Sequence, residues 1–272
     1  MQISADRQGD KRIARAIECL LVVGGAYHDM DFARLELLKL LGEQGDVRTR
    51  VCEDYPAPET IAAADFLITY TCDRVPTTAE QLAALVDFVE RGGRWLALHG
   101  TNSVLHFLED GTVTTPAEHQ DFMELVGTQF IGHPAIGRFR VDVADPDHPL
   151  VAGIEPFATE DELYLTRTCA PIETLLDCHY DGAPLGSFRQ TEPVPGRHPV
   201  LYLRRRGEGA VLYLTLGHCR GPHDMRPIVE HWPTLDRCSW NEPVFYELLR
   251  RGIAWASGLG TFAALPVSMD AP

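Results

Sequence analysis

The chain has 272 residues, 45% of them hydrophobic, which suits one large α/β domain or two small ones around a sizeable core. A formal net charge of −15 argues against a nucleic-acid backbone or an anionic lipid surface as partner, because an acidic surface repels both, and leaves a small molecule as the expected ligand. No stretch reaches the roughly 18 apolar residues of a membrane span, the polar start from Met1 to Arg15 lacks a signal-peptide core, and seven scattered cysteines without C-x-x-C fit reduced thiols, so a cytoplasmic protein with no membrane partner is expected.

Cys19 to Val23 is a continuous apolar run, the pattern of a parallel strand buried on both faces. Asp31 is placed to cap a helix through about Gly42, with Phe32, Leu35, Leu38 and Leu41 at helical spacing. Arg48 to Cys52 and Phe66 to Tyr70 read as the next strands, and Thr77 or Thr78 opens a helix that turns Leu82, Leu85, Val86 and Val89 inward until Gly92-Gly93. Arg94 to Leu98 is the fourth strand. This alternation predicts right-handed crossovers and a parallel sheet.

Beyond residue 100 the pattern loosens into loops expected to lie over the strand ends, with a helix near 119 to 126. Strands are predicted at Arg138 to Val143, Leu163 to Thr166 and Thr174 to Tyr180. Pro199 to Arg205 and Ala210 to Leu216 form a hairpin across Arg206-Gly207-Glu208-Gly209, and Asn241 opens a closing helix through Trp255. One domain over residues 1 to 260 is expected, with a loosely held tail from 261 to 272.

His28, His99 and His218 each follow a strand-like run, and open parallel sheets hold their ligands beyond the carboxyl ends of the strands. Three imidazoles meeting there suit a divalent ion such as Zn²⁺ with a position left open for water or substrate, although their spacing matches no compact ligand motif. Within Glu160-Asp161-Glu162, either Asp161 or Glu162 is a candidate fourth ligand or general base, against the alternative of a solvated acidic turn. Asp29 either accepts a hydrogen bond from His28 or starts a turn. Tyr27, Cys72, Asp73, His133 and Tyr164 are candidate substrate contacts. His148, inside Asp-Pro-Asp-His-Pro, reads as a turn residue. His223, His231 and Trp232 lie in a loop that either closes over a sugar ring or packs as an ordinary loop. Gly207-x-Gly209 joins two strands instead of opening a helix, and there is no Walker sequence and no Gly-x-Ser-x-Gly elbow, so no nucleotide cofactor is expected.

The ordered set Val22-Val23-Gly24-Gly25 with Tyr27-His28-Asp29, Gly92-Gly93-Arg94-Trp95-Leu96-Ala97-Leu98-His99-Gly100, Asp145-Pro146-Asp147-His148-Pro149, Thr159-Glu160-Asp161-Glu162-Leu163-Tyr164 and Leu216-Gly217-His218 resembles the ThuA-like (trehalose utilisation) family over residues 18 to 258. The resemblance implies an α/β fold, flavodoxin-like or class I glutamine amidotransferase-like, a three-layer sandwich with a mainly parallel central sheet. It links the chain to catabolism of trehalose, related disaccharides or their 3-keto derivatives. An amidotransferase of this fold carries a nucleophilic cysteine after the strand occupied here by Trp95 to Leu98, where this chain has His99. An imidazole replaces a thiolate poorly as nucleophile but serves well as a metal ligand. The expected function is therefore metal-assisted hydrolysis, elimination or isomerisation of a sugar derivative, with His99, Glu162 and Asp161 catalytic and His28, His99 and His218 on the metal. A non-catalytic sugar-binding or regulatory module and an amidase using Cys72 or Cys219 are the alternatives. Self-association into a homo-oligomer is compatible with the sequence.

Overall fold

The computed structural model describes residues 15 to 259. In chain order it runs β1 (Ile17–Gly25), α1 (Met30–Gly42), β2 (Val47–Cys52), α2 (Pro58–Ala62), β3 (Phe66–Cys72), α3 (Ala79–Glu90), β4 (Arg94–Leu98), β5 (His106–Phe107), β6 (Val113–Thr114), α4 (Gln120–Val126) and β7 (Thr128–Gly132). There follow β8 (Gly137–Val143), β9 (Phe157–Asp161), β10 (Leu165–Thr168), β11 (Glu173–Tyr180), β12 (Gly196–Arg206), β13 (Gly209–Leu214) and α5 (Pro243–Ser257). Among these described residues no helix is long and apolar enough to cross a membrane. The expected tail from 261 lies outside them.

Nine strands form one sheet in the order β2-β1-β3-β4-β13-β12-β11-β8-β9. The half from β2 to β13 is parallel, with β1 and β3 nearly all buried, as the apolar runs predict. The other half is antiparallel, and at its junction with the parallel half Arg206 pairs with Gly209 across a two-residue turn, which cannot return a parallel strand. Leu21, Ile68 and Leu96 pack with Leu37 of α1 and Leu249 of α5 on one face. Leu20, Leu67 and Trp95 pack with Phe88 of α3 and Phe122 of α4 on the other. Helices thus cover both faces of a large, extensively parallel α/β sheet.

Several boundaries differ from the sequence reading. The α1 cap is Asp29, whose Oδ1 accepts from Phe32 N at 3.0 Å, while Asp31 falls in the first turn and pairs with Arg34. Thr78, not Thr77, caps α3 and forms a reciprocal capping box with Gln81. The closing helix starts at Pro243, after a 3₁₀ turn that consumes Asn241. β9 and α2 carry too little periodicity to be predicted. The strand expected at Leu163 begins at Leu165, because Glu162 to Tyr164 turn into the site instead of pairing. His148 sits in its predicted turn and accepts from Leu150 N at 3.2 Å.

Parallel β1 leaves the sheet through Gly25 at φ +123°, where a Cβ would overlap the Cys72 carbonyl oxygen. Gly25→Ala should therefore cost at least about 2 kcal/mol in urea unfolding, because strain and overlap act together.

Candidate metal centre

Each predicted ligand is carried to the sheet's carboxyl edge by a short, tightly tied segment. After Gly25, Tyr27 at φ +68° swings the chain so that His28 faces inward, and Asp29 N donates to Cys219 O at 2.9 Å, joining this turn to the His218 segment. His99 follows β4 directly and takes φ +41°, an uncommon conformation for a non-glycine residue that clusters at functional sites. Tyr213 Oη donates to the His99 carbonyl at 2.6 Å and fixes that turn. His218 follows Gly217, whose carbonyl accepts from Tyr70 Oη and Trp240 Nε1, both at 2.8 Å.

Asp161, at the end of β9, supports the site from beneath. Its carboxylate accepts from Gly217 N at 2.9 Å, His218 N at 3.1 Å, Ser239 N at 3.3 Å and Glu162 N at 2.7 Å. It is fully buried and is not among the four side chains that meet. The next residue, Glu162, is the carboxylate that reaches them. The acidic string is therefore not a solvated turn: of its three members only Glu160 is exposed.

His28, His99, Glu162 and His218 offer ligand atoms that all lie within 4.8 Å of one another, and all four are buried. His28 Nε2 is 2.9 Å from His99 Nε2, and Glu162 Oε2 is 3.9 Å from the former, 3.5 Å from the latter and 3.4 Å from His218 Nδ1. Ligands placed tetrahedrally about 2.0–2.2 Å from one ion are roughly 3.3–3.6 Å apart, so this set needs only small adjustments to share a cation. Hydrogen bonding fixes which nitrogens face inward. Nδ1 of His99 lies 2.8 Å from Thr215 O and Nδ1 of His28 3.2 Å from Ala26 O, carbonyls that can only accept, so each Nδ1 carries a proton and, in that tautomer, each Nε2 turns its lone pair toward the other. Two lone pairs at 2.9 Å repel unless a positive charge lies between them. His218 Nδ1, which faces Glu162 Oε2 across the cluster, is buried without a hydrogen-bond partner, a costly arrangement that a bound cation would relieve. The donor set of three imidazoles and one carboxylate suits a Zn²⁺-like ion.

Electrostatics agree with this geometry. Burial, reinforced by His99 and His218, holds the His28 pKa well below its ordinary value and keeps the ring neutral. For His218, burial opposes charge but facing Glu162 and Asp236 outweigh it and bring the ring up to about 8. Burial likewise opposes ionisation of Glu162, yet His133 and His218 overcome it and hold the carboxyl well below the usual carboxylate range.

A cavity of about 460 Å³ opens above the cluster, reaching it at His28 and Glu162. Four of the predicted substrate contacts, Tyr27, Cys72, His133 and Tyr164, line it. Tyr164 Oη lies 3.3 Å from His99 Nε2, and His133 Nε2 is 3.1 Å from Glu162 Oε1. Asp73 does not line the cavity; its Oδ1 accepts from Leu105 N at 3.0 Å and braces the loop that does. Asp29 does not orient His28, because its carboxylate caps α1 and binds Arg237 at 2.8 Å. Trp232 forms part of the wall, whereas His223 and His231 pack on each other, 5.6 Å between ring centroids.

Sequence reading missed Arg220 and Asp236. Arg220 is buried and lines the cavity; its Nε donates to Tyr27 O at 2.9 Å, its guanidinium lies 4.7 Å over the Trp232 ring, and Nη2 is 3.8 Å from Glu162 Oε1. Asp236 stands 3.7 Å behind His218 Nε2 and accepts from Trp232 Nε1 at 2.9 Å. An arginine two residues after a strand-end histidine was the available signal for the first; nothing in sequence singles out the second. Burial raises the thiol pKa of Cys72 far above normal and that of Cys219 to about 12, so neither supplies the thiolate an amidase needs. Iodoacetamide on the native protein should leave both unmodified in a mass-spectrometric peptide map, while partly exposed Cys52 and Cys169 react.

A sequence model of the ThuA family, described as trehalose utilisation, matches residues 19–232. No curated protein sequence matches the chain. Among solved structures, a ThuA-like protein from Parabacteroides merdae aligns with TM-score 0.65 at 16% identity, covering 94% of this chain and 95% of that one. A ThuA-like protein from Bacteroides uniformis aligns with TM-score 0.62 at 18% identity, covering 89% and 93%. The cold-adapted β-galactosidase of Rahnella sp. R3 aligns at 0.51 and 12% identity, over 75% of this chain but 29% of the enzyme, a likeness of fold alone. The family match spans most of the strands that carry the cluster, and the chain belongs to the ThuA family.

Proposed function

We propose that this ThuA-family chain is a metal-dependent enzyme of sugar catabolism acting on a glycoside, a disaccharide or its 3-keto derivative. The supporting observation is the pair of imidazole Nε2 atoms facing each other at 2.9 Å beside the buried, unpartnered Nδ1 of His218, directly under a ligand-sized cavity. His28, His99, His218 and Glu162 are the residues that would hold the ion, which would supply a Lewis acid able to polarise a substrate oxygen if it took up a fifth ligand from the cavity side. A single α/β domain of amidotransferase-like layout is supported by the continuous nine-stranded sheet with helices on both faces, and a cytoplasmic site by the seven free cysteines.

The roles of the individual residues follow from their surroundings. A ketone acidifies the adjoining C–H of a sugar ring. His133, whose Nδ1 donates to Pro134 O at 2.7 Å, presents Nε2 as the base, and its 3.1 Å gap to Glu162 Oε1 has room for the proton taken up. The electron pair of the broken C–H bond moves to the carbonyl oxygen; its return expels the glycosidic oxygen, which leaves with the proton that His133 had taken up, so that the imidazole is neutral again at the end of the step. Tyr164 Oη and Arg220 are positioned to donate to sugar oxygens. His99 has no exposed surface and acts only through the cluster, and Asp161 is a positioning residue instead of the base or ligand expected from sequence.

The test is to follow a 3-keto glucoside by NMR with the zinc-loaded chain, the same sample after chelator treatment and dialysis, and His133→Asn. Turnover should require the metal and fall at least about a hundredfold in His133→Asn at unchanged zinc content. Full turnover in verified metal-free protein would defeat the metalloenzyme reading, and saturable binding without any conversion would favour the sugar-binding module.

A further inference from the structure

The cavity above the cluster changes chemical character from floor to mouth. Its polar groups are concentrated around the cluster: Glu162 and His28 belong to it, His133 lies 3.1 Å and Arg220 3.8 Å from Glu162, Tyr164 3.3 Å from His99, and Ser103 3.4 Å from Tyr164. The remaining wall is dominated by carbon. Leu105, Phe107 and Val113 come from the β5–β6 ribbon side, Leu185 from the segment after β11, and Met225 and Ile228 from the loop after His218.

Two of the large hydrophobic side chains left most exposed in the described residues, Ile228 at 42% and Leu185 at 36%, stand in this wall. The Tyr27 ring packs on Phe107 with centroids 5.0 Å apart, adding an aromatic surface between floor and mouth. A disaccharide carries hydroxyls on both rings, and those of a second ring would be pressed against side chains that offer few hydrogen-bond partners. Burying them unpaired is unfavourable, whereas an apolar group there gains by leaving water.

We infer that the cavity takes a glycoside with an apolar aglycone, aryl or branched alkyl, in preference to a disaccharide. The sugar ring rests on the cluster, His133, Tyr164 and Arg220, and the aglycone lies against the Phe107 and Ile228 walls. The placement of the sugar depends on the function proposed above; the preference for an apolar group depends only on the outer wall.

Calorimetric titration of the zinc-loaded full chain with both anomers of phenyl glucoside, methyl glucoside and trehalose tests this. One phenyl anomer should bind at least about tenfold tighter than methyl glucoside or trehalose, the scale expected for burying one ring. Ile228→Asp and Leu185→Asp, both at partly exposed positions and with folding checked by circular dichroism, should each remove most of that preference without changing zinc content. Equal or tighter binding of trehalose, no measurable binding of either phenyl anomer, or a preference that survives both substitutions would overturn the inference. Zinc content measured on the same samples separates the two readings. A phenyl preference in protein that holds no zinc sinks only the metal assignment, and stoichiometric zinc without the preference sinks only this one.

Discussion

His99→Ala should abolish stoichiometric metal binding, weakening affinity by at least about a hundredfold, the upper range seen for loss of mere supporting groups around a metal, while the chain stays folded. The size of the effect follows from geometry. His99 Nε2 is 2.9 Å from His28 Nε2 and 3.5 Å from Glu162 Oε2, and its other nitrogen is fixed on Thr215 O, so the ring is already oriented to coordinate. Alanine removes a ligand that no nearby side chain replaces: Tyr164 Oη, the closest substitute, is a poor ligand while its pKa is raised by burial and by Glu162. Elemental analysis with circular dichroism checks this, and His148→Ala, a turn residue outside the cluster, serves as the control that keeps its metal. Equal metal in His99→Ala and wild type would remove His99 from the centre.

Asp161→Ala should cost about 3 to 5 kcal/mol in urea unfolding, the largest stability effect expected of any residue in the site. One buried carboxylate accepts from four backbone N–H groups on three segments: the end of β9, the Gly217-His218 turn and the 3₁₀ turn at Ser239. Truncation strands all four donors in a dry interior. Asparagine should rescue little, since its NH₂ group would face N–H donors. Whatever fraction remains folded should also bind metal more weakly, because the His218 backbone loses its anchor. A cost below about 1 kcal/mol would show that these contacts do not hold the site.

The inner strands of the parallel half were legible because they are buried on both faces and therefore read as unbroken apolar runs, unlike the edge strand β2. Cys19–Val23 and Phe66–Tyr70 differ from β1 and β3 only at their ends. The three imidazoles were legible for the same reason, since a histidine within a few residues of the end of a buried parallel strand lies at the sheet's carboxyl edge whatever the rest of the chain does. The choice between Asp161 and Glu162 was not. Neighbours on an extended segment point to opposite sides, and only the tertiary course of β9 against Gly217 decides which carboxylate meets the imidazoles and which meets backbone amides. Arg220 and Asp236 escaped because a backbone bridge between them closes a long loop, a pairing that no local periodicity records. The antiparallel half was only partly readable, its hairpin from turn chemistry and β9 not at all.

X-ray absorption at the zinc edge of protein loaded with one equivalent of Zn²⁺ tests the central claim most directly. Coordination by four side chains predicts a first shell of nitrogen and oxygen only, at about 2.0–2.2 Å, with the multiple scattering of three imidazoles, lost stepwise in His28→Ala and His218→Ala. Sulfur in the first shell, fewer than two imidazoles, or failure to retain one equivalent of zinc through dialysis would contradict it.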